Sequence, residues 1–112
     1  MNTWLIGVGI EVAELEFPSH FLIQADSPEM AEAGVIYMGS SWWPECPEES
    51  DSSRWAYRSG RAVWFHSMTL LDDAETAILQ DLKFLDSWRI TGTPEWPVVR
   101  DRFDMDWLEY TR

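Results

Sequence analysis

TWLIGVGIEV, residues 3–12, alternates without a break. Trp4, Ile6, Val8, Ile10 and Val12 share one face, and Leu5, Gly7, Gly9 and Glu11 share the other. A period of two over ten residues marks a strand with one face on a core. Gly7-Val8-Gly9 lies inside this alternation with no helix after it, so it is not a phosphate-binding loop. Its glycines instead predict room for a bulky neighbour, such as a Trp, against the sheet. At Ala13–Glu14 the phase flips by one residue, and Leu15 and Phe17 become the apolar positions. Such a flip predicts a bulge or a tight bend. Pro18 then precedes a second apolar run, His20 to Ala25, placed to pair antiparallel with the first.

Working outward, Asp26-Ser27-Pro28-Glu29 predicts a helix start. Ser27 or Asp26 suits the cap, Pro28 the first helical position and Glu29 the positive end of the dipole. Met30, Ala33/Gly34 and Tyr37/Met38 keep helical spacing, and Gly39 reads as the stop. Residues 40–53, SSWWPECPEESDSS, read as an exposed loop rich in Ser, Pro and Glu. Arg54 to Leu70 predicts a hairpin turning at Ser59-Gly60, with Trp55 opposite Trp64. Asp72 and Glu75 have capping-box spacing, opening a second helix with a stripe of Ala74, Ile78, Leu82 and Leu85. Trp88 to Thr91 reads as a short strand. The tail fits either periodicity, with Val99, Phe103 and Trp107 favouring a helix over 97–104. The expected fold is a single α+β domain over residues 1–112. It has two layers, an antiparallel or mixed sheet with two helices on one face, and a short C-terminal helix or strand.

Charge is the other strong signal. Residues 1–53 hold ten carboxylates and no Lys or Arg; the rest hold ten more with all eight basic side chains. The net charge of −12 therefore divides into −10 and −2. An uncompensated acidic half repels nucleic acid and anionic membrane and attracts basic surfaces. The Arg residues near the hairpin and in the tail read as ion-pair partners for the chain's own acids. One cysteine, Cys46, allows no internal disulfide, the amino terminus lacks a basic signal-peptide region, and no apolar run spans a bilayer. These features predict a cytoplasmic protein with no membrane partner.

No chemistry-bearing motif emerges. His20, His66 and Cys46 lack metal-ligand spacing, and Asp101, Asp104 and Asp106 lack the glycine and terminal glutamate of a calcium loop. Cys46 sits between Glu45 and Pro47, where acidic surroundings oppose thiolate formation. The reading is a binder without cofactor or metal, not an enzyme. Trp4, Trp64 and Trp88 read as core, while Trp42 and Trp43 suit either core or a docking anchor. The candidate partner-binding residues are Glu11, Glu14 and Glu16 at the first strand and bend, Glu29 and Glu32 on the helix, and Trp42, Trp43, Glu45, Glu48, Glu49 and Asp51 in the loop.

Carboxylates spaced along an element imitate phosphates along a duplex. The chain is thus expected to occupy a basic, nucleic-acid-binding surface of a partner enzyme without itself binding nucleic acid. In size and charge it resembles the small acidic inhibitors that phages deploy against host defence, such as anti-CRISPR and anti-restriction proteins. That resemblance implies a phage anti-defence role. The alternatives are an immunity-protein or docking module using the Trp42-Trp43 loop, and a homodimer or larger homo-oligomer packed through its tryptophans.

Overall fold

The computed structural model describes residues 1–51 and 53–111. Seven strands form one sheet: β1 (Asn2–Val12), β2 (Leu15–Ala25), β3 (Pro47–Ser50), β4 (Arg54–Tyr57), β5 (Ala62–Leu70), β6 (Ser87–Gly92) and β7 (Pro97–Asp101). Three helices accompany them: α1 (Pro28–Ser40), α2 (Asp73–Gln80) and α3 (Trp107–Tyr110). The spatial order is β3-β4-β5-β1-β2-β6-β7. Every pairing is antiparallel except β2 with β6.

The β1–β2 pair fulfils the reading of residues 3–25. Trp4, Ile6 and Val8 are buried and face α1's side of the sheet with Phe21 and Ile23. The phase flip is a two-residue turn, because Val12 pairs with Leu15 and β2 runs straight through Pro18. Ala13 and Glu14 both have positive φ, 53° and 68°. A turn of this kind normally recruits Asn-Gly, since left-handed backbone costs other residues about 1 kcal/mol or more each. The double replacement Ala13→Asn with Glu14→Gly is therefore expected to stabilise the protein by about 1 kcal/mol. Thermal unfolding should read this as a rise of roughly 4 °C, and an unchanged midpoint would show that the turn carries no such strain.

The two-helix α+β expectation is overturned. The molecule is 46% strand and 23% helix, a curled seven-strand half-barrel with three short helices. Only α1 lies along the sheet for any length, touching β2, β4, β5, β6 and β7. Strands β4 and β7 would stand roughly 24 Å apart in a flat sheet, and a helix is only about 10–12 Å wide. Contact with both requires the sheet to wrap around α1. Helix α2 has the expected capping box at Asp72 and Glu75 but no buried residue, and Ile78 is 66% exposed. It ends at Gln80, so Leu82 and Leu85 leave its axis and the four-residue stripe never forms one face.

Four other expectations change in detail. Gly39 does not stop α1, which runs to Ser40; it is buried where Trp55 crosses the helix. The hairpin turns through Arg58-Ser59-Gly60, with Tyr57 N donating to Arg61 O at 2.8 Å and Gly60 at φ 87°. This slips the register by one residue, so Trp55 faces Val63 and Arg54 faces Trp64. Trp64 consequently lies half-buried on the outer face, outside the core that claims Trp4, Trp55, Trp88 and Trp107. The tail is a strand first, β7, which buries Val99, and a helix only from Trp107; Phe103 is exposed. The segment 40–53, read as a loop, contributes β3 to the sheet edge.

Candidate functional site

An aromatic cleft of about 400 Å³ opens where the C-terminal end of α1 meets β6 and α3. It is lined from β1 and β2 by Ile10 and Phe21, from the segment after α1 by Trp42, and from β6 and α3 by Trp88, Trp107 and Tyr110. Asp86, just before β6, stands at its rim. Trp88 and Trp107 are buried and form the floor, while Tyr110 is half exposed and Trp42 partly exposed.

Each wall is held by the local sequence. Trp42 is fixed through its backbone, whose N–H donates to Tyr57 Oη at 3.0 Å; that hydroxyl donates in turn to Gly39 O at 2.6 Å. Burial raises the Tyr57 pKa further above the usual tyrosine value. Trp107 Nε1 donates to Ser41 Oγ at 3.0 Å, tying α3 to the end of α1. The carboxylates that place α3 are turn acceptors. Asp101 accepts from Phe103 N and Met105 N at 2.8 and 2.9 Å, and Asp106 caps the helix by accepting from Leu108 N at 2.9 Å. The rings meet edge to face: Trp42 with Trp107 at 5.0 Å, Trp88 with Trp107 at 5.1 Å, and Trp88 with Tyr110 at 5.1 Å. Such pairs each add about 0.5–1.5 kcal/mol beyond the area they bury. Tyr110 Oη donates to Asp86 Oδ2 at 3.4 Å. Partial burial first, then the charge of Asp86, with a contribution from Asp101, raises the Tyr110 pKa.

The acids singled out in the sequence do not gather into one surface. On the outer face of the sheet, Glu11 accepts from Trp64 Nε1 and pairs with Arg54 at 3.5 Å; the guanidinium lies 4.8 Å above the Trp64 ring. Glu16 reaches across the sheet to His66 Nε2 at 2.9 Å. Gly9 admits that crossing, since a Cβ there would come 2.6 Å from the imidazole nitrogen. The neighbour that Gly9 accommodates is thus a histidine–carboxylate pair, whereas Gly7 faces Ser67 and His20. At the sheet edge, Glu45 pairs with Arg61, Glu48 with Arg58 and Glu49 with Arg54, at 3.4, 3.4 and 3.9 Å. Asp51 accepts from the backbones of Ser53 and Arg54, both at 2.7 Å. Trp43 stacks edge-on against Tyr57 and lies under the Arg61 guanidinium at 4.5 Å. Of these acids, Glu14, Glu29, Glu32 and Asp51 have no ion pair among the described residues.

Ser59 Oγ, followed by Arg61, holds the Glu45 pKa below the usual carboxylate value, and the Ser53 and Arg54 amides do the same for Asp51. A lowered folded-state pKa stabilises above the ordinary carboxylate range and is lost as pH falls through the folded value. The β3–β4 corner should therefore loosen selectively below about pH 4. Amide hydrogen exchange across β3 at pH 3 and pH 6, corrected for intrinsic rates, measures this. Glu45→Gln with Asp51→Asn should abolish the difference.

Sequence reading found Trp42 but missed its companions. Trp107 and Tyr110 lay in a tail whose periodicity was ambiguous, and Asp86 carried no motif. No protein family, curated protein or solved structure matches this chain.

Proposed function

We propose that the chain is a small acidic inhibitor that binds a basic protein surface, one that its partner otherwise offers to nucleic acid. The role is binding, not catalysis. A cytoplasmic location fits the single, exposed Cys46, and no helix among the described residues is long and apolar enough to cross a membrane.

One observation carries the reading. Every described arginine is already engaged within the molecule. Arg54, Arg58, Arg61, Arg89 and Arg100 pair with the chain's own acids, and Arg102 donates to the Gln80 and Leu85 carbonyls. The surplus left facing outward is carboxylate, which favours a basic partner and speeds its approach. The same pairing narrows the contact. Glu11, Glu45, Glu48 and Glu49 are paired with arginines and Glu16 contacts His66, which leaves Glu14, Glu29, Glu32 and Asp51 as the candidates without a basic partner.

The test is a pull-down from cell lysate with the tagged chain, with and without excess duplex DNA or RNA. A basic nucleic-acid enzyme that is retained, and released by added nucleic acid, supports the reading. Glu29→Lys with Glu32→Lys should then weaken capture by about tenfold at low salt and flatten its salt dependence. Reversal of the pre-paired Glu48 should do much less. A partner indifferent to nucleic acid would refute the mimicry, and recovery of the chain alone would point to self-association.

A further inference from the structure

We propose that the aromatic cleft binds an alkylated ammonium group, between the Trp42 and Tyr110 rings and beside the Asp86 carboxylate. The site is separate from the acids invoked above, and neither reading depends on the other.

Three observations converge on this ligand chemistry. The first is shape. The cleft is open to solvent and, at about 400 Å³, falls in the size range of small-ligand sites. The second is wall chemistry. Trp42 and Tyr110 offer partly exposed rings above the Trp88–Trp107 floor, and Trp42 stands edge-on to Trp107 while Tyr110 stacks on it at 27°, so the two walls face different directions. Ring faces attract cations, and they do so best when the cation is bulky and weakly hydrated, so that little hydration is lost on entry.

The third observation is the charge at the rim. Asp86 holds the Tyr110 hydroxyl at 3.4 Å, so its carboxylate lies beside an accessible ring. Among the described residues, His20 is the one basic side chain that lines the cleft, and no Lys or Arg does. Partial burial raises the Tyr110 pKa most, and the Asp86 and Asp101 carboxylates near this mouth add to the rise. An anion would meet like charge here. A small ammonium or metal ion would be solvated better by bulk water than by rings. An uncharged apolar group would leave the Asp86 charge unused.

The same head group occurs on a methylated lysine of a protein chain and on free choline-type cations. The experiment therefore uses several probes. Indole N–H resonances of the intact protein are followed during titration with tetramethylammonium chloride, choline, a trimethyl-lysine peptide and 3,3-dimethylbutanol. The last is close to choline in shape and carries no charge.

The expected result is saturable shifts of the Trp42 and Trp107 indole signals with the cations and little response to the alcohol. Asp86→Asn and Tyr110→Leu, both at exposed positions, should each weaken cation binding by about fivefold to tenfold, while a retained cooperative thermal transition confirms folding. A peptide that binds tighter than choline assigns the site to a modified protein tail, and the reverse assigns it to a free cation. Equal response to alcohol and cation, no shift with any probe, or full affinity in folded Asp86→Asn would each overturn the proposal.

Discussion

Trp107→Ala is expected to destabilise the protein by about 3–5 kcal/mol, the range for emptying a buried aromatic site. Trp107 is 2% exposed and touches three other rings, Trp42, Trp88 and Tyr110. Its Nε1–H is the bond that ties α3 to Ser41. A helix of four residues has no stability of its own, so without this ring α3 should detach and expose Trp88 and Phe21. Urea unfolding followed by far-ultraviolet circular dichroism measures the loss. Trp107→Phe separates the contributions: it keeps most of the packing, gives up the hydrogen bond, and should cost less than half as much. Equal losses for both variants would mean that the Ser41 bond, and not ring packing, secures α3.

Gly39→Ala is the second large effect, and here two contributions oppose. In an ordinary helix the exchange would gain up to about 1 kcal/mol of propensity. At this position a Cβ would fall 2.7 Å from Cδ2 of Trp55 and nearer still to two other ring carbons. Trp55 is 2% exposed and belongs to the core, so its ring has nowhere to move. Overpacking of this kind costs typically 1–3 kcal/mol, and the shift must also disturb the neighbouring Tyr57–Gly39 hydrogen bond. The net expectation is a loss of about 1–2 kcal/mol, read from chemical denaturation. A gain would show that α1 can lift away from β4. Paired with Trp55→Phe, Gly39→Ala should cost less than it does alone, because the smaller ring leaves space.

These positions also mark what the chain discloses without its structure. Alternation over residues 3–12 and the Ser27-Pro28 start are local signals, and the protein follows them. The hairpin register was not legible, because Ser59-Gly60 supports either a two-residue turn or a three-residue turn with Gly60 in the left-handed region. The choice moves Trp64 from the core to the outer face. The β1–β2 turn was hidden for a different reason: Ala13-Glu14 has none of the residues that tolerate positive φ. Sheet curvature arises from how far α1 reaches on either side, a long-range property that no window of sequence contains. The same holds for the cleft. Trp42 stood out in a polar stretch, but the partners that make it a wall come from the far end of the chain.

The parallel pairing of β2 with β6 has a bearing on how the chain acquires its structure. The β1–β2 hairpin is local and can close within microseconds. Yet the free edge of β2, with Leu22 and Ile23, waits for Ser87 and Trp88, which follow after most of the remaining chain. During synthesis that edge is an unsatisfied template of backbone donors and acceptors, open to pairing with a second nascent chain. Refolding should therefore show a fast phase from the hairpin and a slower, concentration-sensitive phase when β6 docks. Dilution should raise the yield of monomer at the second step without changing the rate of the first.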